Sequence, residues 1–195
     1  MGHFLKANLR GPYEIILCDD GSTDDTLFAA NEYALSNPRV KVIGYKDNKG
    51  RGYALKFAGS ICGGNFIIYI DSDFPKTTRL EKLIEMVEYL KENEIVIGSR
   101  FLPGSKVRRF PLRAFVSKVY RGLVRLILPE LRVSDIDIGF KGFQTRCFRE
   151  INFFSRKDRW SWDLEFLCIA RWRKARIKEF PIDWDEMYDS YSTSI

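Results

Sequence analysis

The chain is 195 residues long, 45% hydrophobic and 30% charged, with a net charge of +6. That mixture is read as one domain over residues 1–195 and excludes wholesale disorder. A single histidine, His3, argues against Ser–His triads and histidine-rich metal sites, and no apolar run reaches the roughly 20 residues of a membrane span or forms the core of a secretory signal.

Residues 14–18 (EIILC) are an apolar run that stops at Asp19-Asp20-Gly21-Ser22, the pattern of a buried strand ending in a turn. Ser22 is positioned to cap a helix over residues 24–35, which Asn37-Pro38 ends. A second strand follows at residues 40–44. Gly50 and Gly52 open a helix that runs to Ser60 and closes at Cys62-Gly63-Gly64. Residues 66–70 (FIIYI) read as a strand leading directly into Asp71-Ser72-Asp73. Thr78 and Glu81 make a capping-box pattern, with Leu80, Leu83, Ile84, Val87 and Leu90 at helical spacing. Residues 95–98 form the next strand, ending at Ser99-Arg100.

Strands alternating with helices imply an α/β fold, a mostly parallel sheet with helices on both faces. Ligands of such sheets gather beyond the carboxyl ends of the strands. Asp19 and Asp20, Asp71 and Asp73, and Arg100 all fall at such ends. Their convergence is the core of the functional case.

The positive charge is concentrated. Residues 1–99 carry 12 basic and 14 acidic residues, residues 134–195 carry 11 of each, and residues 100–133 carry nine against one, a net of +8. A field of that kind attracts a phosphate, a membrane surface or nucleic acid. Within it, residues 112–127 form a basic amphipathic helix. Leu112, Phe115, Val116, Val119, Leu123 and Ile127 share one face, while Arg113, Ser117, Arg121 and Arg125 fall four apart. Arg113 and Ser117 suit a phosphate, with Arg100 reaching in from a strand end. The apolar face beside those cations suits a membrane interface, and a core-facing helix with a solvated back is the alternative. The basic residues match no nucleic-acid-binding module, so no nucleic-acid partner is expected.

Asp71 and Asp73 lie two apart on extended backbone, so both carboxylates can face one ion, and carboxylate oxygens suit Mg²⁺ or Mn²⁺ together with a diphosphate. Asp20 can meet a base or ribose. The loop holding Lys49 and Arg51 offers backbone N–H groups and two cations to phosphate oxygens, or is a tight surface turn. Residues 135–143 (DIDIGFKGF) read as a loop and strand. Residues 160–165 (WSWDLE) enter a helix with Leu164, Leu167, Cys168 and Trp172 inward. Asp163 and Asp135 are candidate bases, and Glu165 reads as structural. Pro181 bars a central strand position. Cys18, Cys62, Cys147 and Cys168 form no CxxC pair and fit reduced thiols in a cytoplasmic setting.

In order, the motifs DDGSTDDT, NKGRGYAL, DSDFP, IGSRF, the Arg113–Ser117 pair, DIGFKGF, WSWDLEFL and EFPIDW resemble the inverting glycosyltransferases of the GT-A fold. Among those they are similar to the dolichyl-phosphate mannose and glucose synthases, and the WSWDLEFL and EFPIDW stretches lean to the glucose-transferring members. The resemblance covers nearly the whole chain. It implies a Rossmann-like GT-A sheet and transfer of a hexose from UDP-glucose or GDP-mannose to a polyprenyl (dolichyl) phosphate. It puts Asp20, Lys49, Arg51, Asp71 and Ser72 at the nucleotide sugar and a divalent Mg or Mn ion on Asp71 and Asp73. Arg100, Arg113 and Ser117 would bind the acceptor phosphate, with Asp73 and Arg100 catalytic. Two departures stand out. The first strand with which relatives begin is not seen, which reads as an N-terminal truncation, and Pro75 stands where mannose-type members often carry a glutamine ligand. The expected location is peripheral, on the cytoplasmic face of a membrane, held by the basic helix or an anchoring partner. The alternatives are transfer to a saccharide hydroxyl, with Asp163 or Asp135 as base, and a truncated non-catalytic homologue.

Overall fold

The computed structural model describes residues 2–9, 11–71, 80–108 and 110–185, and for His3 and Arg113 the backbone alone. A short helix α1 (Gly2–Asn8) precedes β1 (Ile15–Asp20), α2 (Thr26–Leu35), β2 (Val40–Tyr45), α3 (Arg51–Ile61) and β3 (Phe66–Ile70). Next come α4 (Glu81–Leu90), β4 (Ile95–Ser99), β5 (Val107–Arg108) and the long α5 (Pro111–Ile127). A 3-10 turn (Pro129–Leu131) leads to β6 (Phe140–Gln144), α6 (Thr145–Phe154), α7 (Trp162–Trp172), β7 (Ile177–Pro181) and β8 (Trp184–Asp185). The elements expected from apolar runs and glycine punctuation are there. β1 extends further than its apolar run, so Asp19 and Asp20 are strand residues.

Pairing is mostly parallel: β1 with β2, β4 with β7, and β5 with β8. One strand departs from the alternating pattern. β6 runs antiparallel between β3 and β4, giving the order β3-β6-β4-β7. β7, which ends in Pro181, is the outer strand of that order, where a missing N–H costs least. The β1–β2 pair is not hydrogen-bonded to this four-stranded sheet among the described residues.

β6 shows how the layers stack. Successive strand residues face opposite ways. A side chain on Gly142 would run into Met86 and Leu90 of α4, whereas the ring of Phe143 packs on Phe148 of α6 and Phe166 of α7. Helices therefore cover both faces. The core gathers Met86, Leu90, Ile95, Ile97, Phe140 and Phe143, all inaccessible to solvent, around β4 and β6. α3 joins it through Gly59, where a Cβ would overlap the ring of Phe148. Gly59→Ala is expected to destabilise the fold by about 1–3 kcal/mol despite alanine's better helix propensity, because the aromatic cluster cannot retreat. Chemical denaturation measures it, and an unchanged or raised stability would show that the ring has room to move.

Two local expectations need correction. Ser22 does not cap α2: its N–H donates to Asp19, while Asp24 accepts from the Thr26 N–H. The acidic side chain nearer the first turn reaches that N–H, so the hydroxyl four residues upstream is not used. Trp172, the last residue of α7, points outward at 77% exposed, and Trp162 and Phe166 take the buried aromatic places. Of the two arrangements open for α5, the core-facing one is not what forms: its apolar face is exposed and its Ser117, Tyr120, Arg121 and Val124 side faces the protein. The capping-box residue Thr78 lies outside the described residues.

Candidate active site

The described site residues meet at one end of the sheets. β1, β3 and β4 each deliver polar residues at their carboxyl ends, and residues 135–139, leading into the antiparallel β6, cross the same end. Neighbouring strands lie about 4.8 Å apart, so with β6 between them the ends of β3 and β4 stand roughly 10 Å apart. That gap is the scale of a sugar with a phosphate beside it.

Asp20 closes the first corner. Its carboxylate accepts from the backbone N–H of Lys49 at 2.8 Å and of Gly50 at 2.9 Å. Gly50 turns the chain at φ 96°, a conformation that favours glycine, and α3 starts at the next residue. The carboxylate thus occupies two of the N–H groups expected to cradle a phosphate. The Lys49 ammonium lies over the ring of Tyr53, 4.4 Å from its centre. What this corner presents outward is a lysine on an aromatic shelf, with burial and the nearby Asp20 holding the Tyr45 hydroxyl protonated well above the usual tyrosine range.

A buried charge network lies behind the second corner. Lys141, in the middle of β6 and 1% exposed, donates to Asp163 at 2.6 Å and to the Ile138 carbonyl at 2.6 Å. The other oxygen of Asp163 pairs with Arg51, which also approaches Asp71 at 3.7 Å and carries the ring of Trp160 over its guanidinium. Tyr69 donates its hydroxyl to Asp71. Burial, together with the Asp71 charge, pushes the Tyr69 hydroxyl far above its ordinary value, so it stays a donor. Gly139 is what lets Asp71 fold in, since a Cβ there would overlap its carboxylate. Arg51 is thus committed to carboxylates rather than to phosphate. Asp163 is buried, and each of its oxygens already faces a cation.

The third corner is Arg100. Its Nε and Nη2 donate to the two oxygens of Asp135, both at 2.8 Å, and its backbone N–H adds a third bond at 2.9 Å. The arginine side chain is 10% exposed and that of Asp135 1%. Glu179 in turn accepts from the Ser134 and Asp135 N–H groups. Asp135 is therefore the brace of Arg100, and its oxygens face the guanidinium rather than a substrate. Arg121 of α5 lies on the ring of Phe101, 3.4 Å from its centre, beside the half-buried Ser117. Asp137, on the loop between these corners, has its carboxyl raised above the usual range by burial and by the Asp163 charge.

Asp20, Lys49, Arg51, Asp71, Arg100, Ser117, Asp135 and Asp163 are all at this end of the molecule. Ser72 and Asp73, and the side chain of Arg113, lie outside the described residues. Lys141, Tyr69 and Asp137 escape a reading of the sequence: a lysine between Phe140 and Gly142 reads as a surface residue of an alternating strand. Glu165 is structural as expected, accepting from Ser155, Arg156 and Lys157. The four cysteines are free, and burial raises the Cys147 thiol to about 12. As to an ion, Asp71 keeps part of its carboxylate accessible (side chain 29% exposed) and holds lone pairs beyond those used by Tyr69. Hard oxygen of this type fits Mg²⁺ or Mn²⁺. Among the described residues no group of three or more acidic, cysteine or histidine side chains gathers as a metal site.

Residues 3–167 match glycosyl transferase family 2. The chain is similar to glycosyltransferase AglD of Haloferax volcanii, 34% identical over 96% of this chain and 29% of that protein. It is also similar to dolichyl-phosphate beta-glucosyltransferase ALG5C of Trichomonas vaginalis (32%, covering 91% and 54%) and to the dolichyl-phosphate beta-glucosyltransferase of Homo sapiens (29%, covering 97% and 62%). The chain thus spans between about a third and three fifths of the length of these relatives. Among solved structures, glucosyl-3-phosphoglycerate synthase from Mycobacterium tuberculosis, in complex with Mn²⁺, UDP-glucose and phosphoglyceric acid, superposes with a TM-score of 0.66 at 20% identity, over 87% of this chain and 58% of that one. That likeness shows the fold. With three strand ends converging on one acidic and one basic corner and the family match spanning most of its length, the chain belongs to glycosyl transferase family 2.

Proposed function

We propose that this chain transfers glucose from UDP-glucose to a polyprenyl phosphate, with inversion at the anomeric carbon. The observation that carries the reading is the pairing, across one strand, of an acidic corner at Asp71 with a braced arginine at Arg100. The glucosyltransferase names of the relatives favour UDP-glucose over GDP-mannose. Free cysteines and the +8 segment fit the anionic cytoplasmic leaflet.

In this reading Asp20 and Lys49 meet the nucleotide, and Asp71 with Asp73 would hold a divalent ion. Such an ion, when bound, neutralises charge on the departing diphosphate. Arg100, with Arg113 and Ser117, orients the acceptor phosphate. The second pKa of a phosphate ester is about 6, so its oxygen is already anionic near neutrality and needs no base. That agrees with a site in which both candidate bases are tied up: Asp163 by Lys141 and Arg51, Asp135 by Arg100. The phosphate oxygen attacks the anomeric carbon, that new C–O bond replaces the bond to the diphosphate, and UDP leaves. Arg51 acts through Asp71, fixing its direction.

Incubated with UDP-glucose, polyprenyl phosphate and Mn²⁺, the protein is expected to release UDP and form lipid-linked glucose. Asp71→Asn and Asp73→Asn are each expected to lower the rate by about 10²–10³. Turnover on saccharide hydroxyls without lipid phosphate, lost in Asp163→Asn, would replace this reading with the hydroxyl-acceptor one.

A further inference from the structure

α5 is an amphipathic helix mounted the wrong way round for a globular domain. Ordinarily the apolar stripe packs inward and the charged side is wet. Here the stripe formed by Leu112, Phe115, Val116, Leu123, Leu126 and Ile127 faces solvent, with Leu112, Leu126 and Ile127 each more than 70% exposed. At about 100° per residue these six lie within roughly 120° of the helix circumference. The side facing the protein carries Ser117, Arg121 and the buried Val124. Lys118 and Arg125 are exposed and border the stripe, and Lys106 and Arg132 add exposed cations near its two ends.

We infer that α5 is the surface by which this protein lies on an anionic bilayer, its outward face among the acyl chains and its flanking cations at head-group phosphates. Charge selects this occupant. A second copy docking the same face would bring Lys118 and Arg125, with Lys106 and Arg132 near the helix ends, against the same cations of its partner, whereas an anionic leaflet neutralises them. Long basic side chains beside an apolar stripe reach up to the head groups while their stems stay in hydrocarbon. The inference rests on the acceptor reading above in one respect, that the acceptor is a lipid. A helix with apolar residues outward and Ser117 inward then holds the acceptor phosphate at head-group depth while its chain stays in the bilayer. Binding to the surface and presenting the acceptor become one act. No helix among the described residues is long and apolar enough to cross a membrane, so α5 would lie along the surface rather than through it.

The test is sedimentation with vesicles of phosphatidylcholine, alone or with about a third phosphatidylserine. The protein is expected to bind the mixed vesicles, and at least tenfold more weakly the neutral ones. Leu126→Ser with Ile127→Ser is expected to weaken binding to mixed vesicles by at least tenfold, from the apolar area withdrawn. Lys118→Glu with Arg125→Glu is expected to abolish the preference for phosphatidylserine. All four side chains are exposed, so circular dichroism and thermal unfolding are expected to match the unsubstituted protein. Equal vesicle binding by the Ser variant, or no vesicle binding by the unsubstituted protein, overturns the inference. So does a dimer in light scattering that the Ser variant turns into monomer, which would assign the face to a second copy. Transfer to geranyl phosphate, which is soluble, separates the two readings. Its loss in the unsubstituted protein with vesicle binding intact sinks the glucosyltransferase reading alone, and its retention with vesicle binding absent sinks the docking surface alone.

Discussion

Lys141→Met is expected to cost about 3–5 kcal/mol of stability, the largest loss foreseen for a single side chain here. The ammonium is 1% exposed, and its main partner, Asp163, is fully buried as a side chain. Removing one partner of such a pair leaves a carboxylate in a medium that cannot solvate it, and that penalty exceeds the net worth of the pair itself. Arg51 still faces Asp163, so the figure belongs toward the lower end. Adding Asp163→Asn to the variant is expected to recover part of the loss, since the buried carboxylate charge is then gone and Arg51 keeps Asp71 at 3.7 Å. Urea denaturation of both single variants and the double one measures this. A loss below about 1 kcal/mol for Lys141→Met would mean that water reaches Asp163, contrary to a sealed network.

The second large effect concerns Arg100. Arg100→Ala is expected to lower kcat/KM for the lipid phosphate by about 10²–10³, comparable to losing one well-aimed donor to a developing charge. Arg100→Lys is expected to recover only part of this, because an ammonium cannot make the two-pronged contact with Asp135 and still face a phosphate. The loss is expected mainly in the KM for the acceptor, with the KM for UDP-glucose little changed. Since Arg100→Ala also strands the buried Asp135, the lysine variant is the cleaner measurement, made on protein whose unfolding midpoint has been checked. Equal loss with both co-substrates would move Arg100 from acceptor binding to general support of the site.

The sequence makes strands β1 to β4 legible because each is a short apolar run stopped by Gly, Asp or Ser, and the stops are where the chemistry sits. What it hides depends on partners remote along the chain. FKGF reads as an alternating strand, but nothing nearby says that Lys141 turns inward to an aspartate 22 residues later. Likewise the direction of β6 depends on how the chain returns across the sheet after α5, which no local pattern records. Periodicity found the two faces of α5 but not which one the protein would keep, because hydrophobic spacing is the same whether a stripe meets a core or a membrane. Asp163 and Asp135 look like free carboxylates in the sequence. Only the fold supplies the cations that occupy them.

Among the described residues β1 and β2 are hydrogen-bonded only to each other, so their place beside the four-stranded sheet is set by other elements. Two strands alone are marginal in water, and this pair is held by α2 and α3 packed on it, by the ring of Tyr45 against Tyr53 and Phe57, and by the bonds of Glu14 to the Gly63 N–H and Asp20 to the start of α3. Its connection to the rest of the molecule runs through α3, which packs on β1 on one side and on α6 and α7 on the other. On the proposed function, a nucleotide sugar spanning Asp20 and Asp71 would touch both groups of strands. Both corners are set by the same turn, since α3 starts against Asp20 and its first residue, Arg51, reaches Asp71 and Asp163, so a shift of that one helix would move the two together.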